Sequence, residues 1–458
     1  MGSKMIKSIN PATDKEIKSY QVMDEIEIAK IISLSNSDFL SWKETGFSER
    51  TLKMKRAAEI LRQKRDSLGK LMTLEMGKPI LQSKSEIEKC AWVCDYFADN
   101  AERFLSDEVI ATEASKSFVT FRPLGVLLAV MPWNFPFWQV FRFAAPNLMA
   151  GNAGILKHSS NVTGCALAIE EIFREAGFPE NIFRTLIVPS KRIKEIIENK
   201  NIRAVTITGS VAAGKSVAGL AGSVLKKTVL ELGGSDPYLI LKDADLEQAS
   251  GTCVVSRLIN GGQSCIAAKR FIVVEDVYKE FERLFLQKME KRKMGNPLDT
   301  ANDLGPQART DLRDELHEQV QRSIRLGAKL LLGGYIPDMK GAYYPPTVLA
   351  DVRPGMPAYD EELFGPVAAL IRVKNEEEGI RTANDSNFGL GAAVFTSDIK
   401  RGEIIAKERI NSGCCFVNEF VKSDPRLPFG GINESGYGRE LSAIGIKEFV
   451  NIKTVYLK

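Results

Sequence analysis

Residues 204–232 read AVTITGSVAAGKSVAGLAGSVLKKTVLEL. The run opens on a β-branched strand, Ala204-Val205-Thr206-Ile207-Thr208, and breaks at Gly209. Ala212 to Ala221 then reads as a helix and Thr228 to Leu232 as a second strand. Strand, tight turn, helix and strand make one crossover unit. That unit predicts a parallel sheet covered by helices.

The alternation continues in both directions. Ala153 to Lys157 and Ile182 to Val188 read as strands, with a helix from Val162 to Ala176 between them. Phe118 to Arg122 and Val126 to Met131 are two extended segments joined by a turn at Pro123-Leu124-Gly125. Upstream, Arg50 to Glu75 carries apolar residues at helical spacing and stops at Gly77-Lys78-Pro79. A second helix follows to about Leu105. Downstream, another α/β series runs from Tyr238 to about Val417, with strands near Phe271 to Val274, Val367 to Val373 and Ala392 to Phe395. The fold class is α/β.

At 458 residues the chain is too long for one ordinary core, and two or three domains are expected. Its net charge of +4 comes from 62 basic and 58 acidic residues without a long run of one sign. That argues against a nucleic-acid surface. The most apolar stretch, Val126 to Val130, is too short to span a bilayer, and no N-terminal run resembles a signal peptide. Seven scattered cysteines do not form a secreted disulfide framework, and two histidines are too few for a zinc site. A cytoplasmic enzyme with reduced thiols is expected.

Two segments carry the chemistry. Glu231-Leu232-Gly233-Gly234 ends an apolar strand with a carboxylate. Burial there would raise the pKa of Glu231 toward that of a useful base; otherwise it is a salt-bridged surface Glu. Gly262-Gln263-Ser264-Cys265 places a thiol after glycines that let a ligand approach the backbone. Taken alone, Cys265 also fits a small buried hydrophobe. In Pro132-Trp133-Asn134-Phe135-Pro136, two prolines hold Asn134 between aromatics, which suits an oxyanion donor or a structural Asx turn. Gly209 and Ser210 open a helix that can hold a phosphate, without the standard dinucleotide fingerprint. Lys157 offers a contact to ribose or phosphate, or is an exposed lysine. Glu362 and Phe364, before a turn at Gly365-Pro366, either clamp a ribose and a nicotinamide or form a plain loop.

Taken together with Pro428-Phe429-Gly430-Gly431 and Ser435-Gly436, these segments resemble the NAD(P)-dependent aldehyde dehydrogenase superfamily over nearly the whole chain. Within it, the phrases around Asn134 and Glu231 are most similar to short prokaryotic succinate-semialdehyde dehydrogenases. The resemblance implies a variant Rossmann cofactor domain (1–105 and 124–230) and a catalytic domain (231–430). It also implies an oligomerisation arm and tail (106–123 and 431–458), with a homodimer or homotetramer. Cys265 would attack the aldehyde, and Asn134 with the Cys265 N–H would hold the oxyanion. Hydride transfer to the nicotinamide would leave a thioester, which Glu231-activated water would hydrolyse. Trp133, Lys157, Gly209, Ser210, Glu362 and Phe364 would line the cofactor path.

Ser160 stands three residues after Lys157, where NAD-preferring relatives often carry Glu. NADP is therefore the expected cofactor, with NAD also used. Arg142 and Ser423 would bind the carboxylate of succinate semialdehyde. Some relatives carry a second arginine where this chain has Ile259, and a second cysteine where it has Ala267. Other aldehydes, and an inactive relative of the same fold, are the competing readings.

Overall fold

The computed structural model describes residues 5–458. The crossover unit folds as expected: strand Ile202–Thr208, helix Val211–Ser223 and strand Lys227–Glu231. These strands belong to a six-stranded sheet with Val126–Met131, Ala153–His158, Phe183–Thr185 and the short Gly436–Tyr437. Strand Val126–Met131 lies at its centre, paired in parallel with Ala153–His158 on one side and Ile202–Thr208 on the other. Gly436–Tyr437 alone runs antiparallel, against Lys227–Glu231, so this part of the tail joins the same sheet. Both faces of a central parallel strand are covered, which is why Val126–Met131 is apolar without alternation.

A second, seven-stranded sheet is built from Lys329–Leu332, Thr347–Ala350, Val367–Val373, Arg270–Val274, Pro237–Ile240, Gly391–Phe395 and Cys414–Val417, in that spatial order. Only Lys329–Leu332 runs antiparallel to its neighbour. Glu108–Val109, Lys116–Pro123 and Val450–Leu457 form a separate antiparallel sheet, and Met5–Asn10 pairs with Lys15–Gln21.

Two local expectations change. The helical pattern from Arg50 to Glu75 is two helices, Phe47–Gln63 and Arg65–Met76, broken at Lys64, whose ψ of 9° leaves the helical range. The break lets both pieces pack on the helix Ile80–Phe104. The segment from Ile182 to Val188 shortens to the strand Phe183–Thr185. The turn at Gly125 (φ 138°) does not close a hairpin: Lys116–Pro123 stays in the antiparallel sheet while Val126–Met131 enters the parallel one.

Met131, Thr208 and Glu231 end neighbouring parallel strands, so the loops after them leave one edge of the six-stranded sheet. The carboxyl edge of a parallel sheet is where ligands bind. The loops holding Cys265 and Glu362 precede strands Arg270–Val274 and Val367–Val373, at the amino edge of the second sheet. Both edges meet at one seam. Among the described residues no helix is long and apolar enough to cross a membrane.

Candidate active site

Cys265 lies at the seam and is shared by two cavities. Residues 260–262 precede it with three left-handed conformations in a row: Asn260 (φ 53°), Gly261 (φ 62°) and Gly262 (φ 77°). Asparagine and glycine tolerate this region, which strains other residues. A Cβ at Gly262 would overlap the Gly365 carbonyl, so the loop before Cys265 presses directly on the segment after Phe364. Lys269, fully buried, donates to the carbonyls of Ser264 (3.0 Å), Cys265 (2.8 Å) and Ala267 (3.1 Å). Its ammonium also lies 3.4 Å from Glu362 Oε1. Buried Arg257 donates to the Gly262 carbonyl at 2.7 Å. Burial pushes the Cys265 thiol up to about 12, against the pull of Lys269 and Arg142. The resting sulfur is therefore a protonated thiol.

Glu231 ends strand Lys227–Glu231, near enough to Cys265 for its charge to act on the thiol. It is buried, and neither carboxylate oxygen has a hydrogen-bond partner among the described residues. Burial raises its pKa well above the carboxylate range; Arg142 opposes this and Glu440 adds to it. The segment after it is clamped by the C-terminal motif. Leu232 N–H donates to the Ser435 carbonyl (3.0 Å), and Ser435 Oγ donates to the Gly233 carbonyl (2.6 Å). A Cβ at Gly430 would crowd Glu231 Oε1, so only glycine keeps that side open.

The Asn134 side chain is fixed from both ends. Its Oδ1 accepts from Gln139 Nε2 at 3.1 Å, which leaves Nδ2 as the donor; Nδ2 donates to the Gln263 carbonyl at 3.1 Å. Asn260 Nδ2 donates to the backbone carbonyls of Asn134 (2.7 Å) and Gln263 (3.1 Å). The loop is anchored further by buried His158, whose ring nitrogens contact the carbonyls of Met131 and Pro136. Gln139, Asn260, Lys269 and Arg257 did not emerge from sequence motifs. The Asn-Gly-Gly run at 260–262 was the one local signal.

One cavity, of about 270 Å³, is lined by Trp133, Asn134, Gly209, Ser210, Glu362 and Phe364 around Cys265. Trp133 and Phe364 meet edge to face at 5.7 Å. Glu362 Oε1 accepts from Gly234 N–H at 3.1 Å, while Oε2 has no partner among the described residues. A Cβ at Gly233 would strike Oε2, so the backbone passes close to this carboxylate. Ser210 caps helix Val211–Ser223 by accepting from Ala213 N–H (3.3 Å). The other first-turn N–H groups have no partner within the helix and favour an anion. Aromatic walls, a free carboxylate oxygen and a helix N-terminus are what a nicotinamide dinucleotide requires. Lys157 and Ser160 are not on this wall. They lie farther along the same sheet edge, Lys157 3.4 Å from Ser190 Oγ and Ser160 exposed.

The second cavity, of about 300 Å³, lies on the other side of Cys265 and includes Arg142 and Ser423. Arg142 projects from Trp138–Met149, a helix buried on every side. Its Nε is ion-paired with buried Glu440, and Nη2 is 3.5 Å from Thr208 Oγ1. Ser423 Oγ accepts from Lys89 at 2.9 Å. Ile259 lines this cavity and Ala267 is fully buried.

Residues 1–455 match the aldehyde dehydrogenase family. The chain is 50% identical over 452 residues, 99% of each chain, to a probable NADP(+) succinate-semialdehyde dehydrogenase of Synechocystis sp.. It is 45% identical to the NAD(P)+ succinate semialdehyde dehydrogenase of Escherichia coli, over 98% of this chain and 97% of that one. Among solved structures, succinic semialdehyde dehydrogenase from Streptococcus pyogenes in complex with NADP+ superposes with a TM-score of 0.97, at 36% identity and 99% coverage of both chains. The thiol, carboxylate and amide at the seam, the two cavities that meet at Cys265 and these matches lead to one conclusion: the chain belongs to the aldehyde dehydrogenase family.

Proposed function

We propose that the protein oxidises succinate semialdehyde to succinate, with NADP as the preferred cofactor and NAD as a second one. The observation that carries this reading is the position of Cys265 on the shared wall of two cavities, one suited to a dinucleotide and the other lined by basic groups. The identity of the Synechocystis and Escherichia coli relatives over nearly their whole length supports the same substrate and cofactors.

In this mechanism Cys265 Sγ adds to the aldehyde carbon, and the thiol proton passes to Glu231 and then to solvent. The Cys265 backbone N–H and the Asn134 Nδ2 hold the resulting oxyanion. Trp133, Gly209, Ser210, Glu362 and Phe364 would hold a nicotinamide dinucleotide, which would supply the two-electron acceptor for the hydride lost when the C–H bond breaks. The carbon is left as a thioester on Sγ. Glu231 then takes a proton from a water that attacks this carbonyl, and the C–S bond breaks to release succinate and restore the thiol.

Lys157 and Ser160 hold the far end of the cofactor. Ser160 presents no negative charge there, so a 2′-phosphate fits. Initial rates with succinate semialdehyde should favour NADP over NAD, and Ser160→Glu should reverse that order by about 10-fold or more through like-charge repulsion. A wild type that oxidises uncharged aldehydes but ignores succinate semialdehyde sinks the substrate reading. Unchanged cofactor order in the variant sinks the Ser160 assignment.

The six-stranded sheet with its helices acts as the cofactor domain and the seven-stranded sheet as the catalytic domain. The antiparallel sheet exposes Val109 (72%) and Ile452 (61%), apolar side chains that an oligomer contact would cover. Light scattering should give a dimer or tetramer, and a monomer would refute this role. Seven unpaired cysteines, one of them the nucleophile, suit the cytoplasm as a reducing compartment.

A further inference from the structure

Four basic side chains line the cavity on the far side of Cys265: Lys78, Lys89, Arg142 and Lys422. Three are already neutralised. Lys78 pairs with buried Glu86, Arg142 with Glu440, and Lys422 with Glu419 at 3.2 Å. Lys89 has no carboxylate partner among the described residues. Its ammonium donates to Ser423 Oγ (2.9 Å) and lies 4.1 Å from the centre of the Trp138 ring. Nearby walls are apolar, including Leu81, Phe135, Ile259 and Phe420. An unpaired ammonium in such a place lacks a counter-ion, and an anionic ligand would provide one. Ser423 accepts from Lys89 and has no acceptor for its own hydroxyl proton among the described residues, so both groups can donate to one carboxylate.

We propose that Lys89, on the helix Ile80–Phe104, is the specificity-determining cation for the substrate carboxylate, acting with Ser423. Arg142 then has a different task. Locked to Glu440, it is the positive charge that opposes the upward shift of Glu231 and orders the base side of the site. The inference rests on the reading of succinate semialdehyde as the substrate.

The charged and titratable groups around Lys89 give it a second signature. Burial and then Arg142 lower the Lys89 ammonium to about 8, while Cys90, Glu86 and Asp424 oppose this. Of these carboxylates, Glu86 is taken by Lys78 and Asp424 by Arg426 (2.6 Å). Lys89 therefore loses its charge as pH rises through about 8, and selectivity for an anionic aldehyde should fade with it.

The test compares succinate semialdehyde with butanal, its uncharged four-carbon counterpart, in wild type, Lys89→Met and Lys89→Arg. Lys89→Met should raise KM for succinate semialdehyde about 10- to 100-fold, with kcat little changed and butanal oxidation intact. Intact butanal oxidation also reports that the variant folds. Lys89→Arg should restore selectivity and remove its decline near pH 8. The proposal is overturned if Lys89→Met keeps the wild-type preference, or if it depresses both substrates equally. A wild type with no preference for succinate semialdehyde over butanal overturns the substrate reading itself, and this proposal with it.

Discussion

Cys265→Ser should lower aldehyde oxidation by about 10³- to 10⁵-fold. The size follows from the site. Even the thiol is held up at about 12 by burial, so a serine hydroxyl there would resist ionisation still more strongly. The other six cysteines offer no substitute. Cys90, Cys94, Cys165 and Cys253 are fully buried, and Cys414 and Cys415 lie on a strand of the second sheet. The variant should melt within a few degrees of wild type, because the change from sulfur to oxygen is nearly isosteric at a half-buried position. Cofactor binding should persist, since Cys265 is one of many residues on that wall. An iodoacetamide-type reagent should label Cys265 in step with loss of activity, and bound cofactor should slow the labelling. A serine variant that retains a tenth of wild-type turnover would remove Cys265 from the mechanism.

The parts of this site visible in the sequence are those whose chemistry sits in a contiguous turn. Glu231-Leu232-Gly233-Gly234 shows a carboxylate at a strand end followed by glycines. The structure places those glycines against Glu362 and the Cys265 carbonyl, where a Cβ would collide. Gly209 and Ser210 were readable because a β-branched strand and a helix bracket them. What stayed hidden depends on partners far apart in the chain. Arg142 could be seen as a charge on an apolar helix, but nothing near it points to Glu440, the partner that takes up its charge. Lys89 carries no motif of its own, since its meaning lies in the absence of a carboxylate partner among the described residues and in the contact with Ser423. The break at Lys64 was also hidden, because helical spacing continues through it and the reason for breaking is the helix packed across both halves.

Glu231→Gln separates the two halves of the reaction. Steady-state turnover should fall about 10³-fold, within the range that general-base catalysis provides. If the main duty of Glu231 is to activate water, the first turnover should survive. A burst close to one NADPH per subunit should appear, and intact mass should show a succinyl group retained on Cys265. Loss of the burst together with turnover would place Glu231 at thiol deprotonation instead. Near-normal turnover would exclude it from both steps.

The same substitution should reveal the energetic penalty of holding this base. Glu231 is buried with neither oxygen hydrogen-bonded among the described residues, and burial holds its pKa well above the ordinary range. The unfolded chain therefore gives up this proton at lower pH than the folded one does. Below the unfolded pKa both states are protonated and the penalty is absent. It grows as pH rises from there toward the folded pKa, and is then constant. Glutamine has no such ionisation. Glu231→Gln should thus melt above wild type at neutral pH, and the gap should narrow as pH falls toward the ordinary carboxylate range. A gap independent of pH would mean that the carboxylate is better solvated than its burial implies. A water held on those two oxygens would do this, and it is the water that the proposed hydrolysis needs.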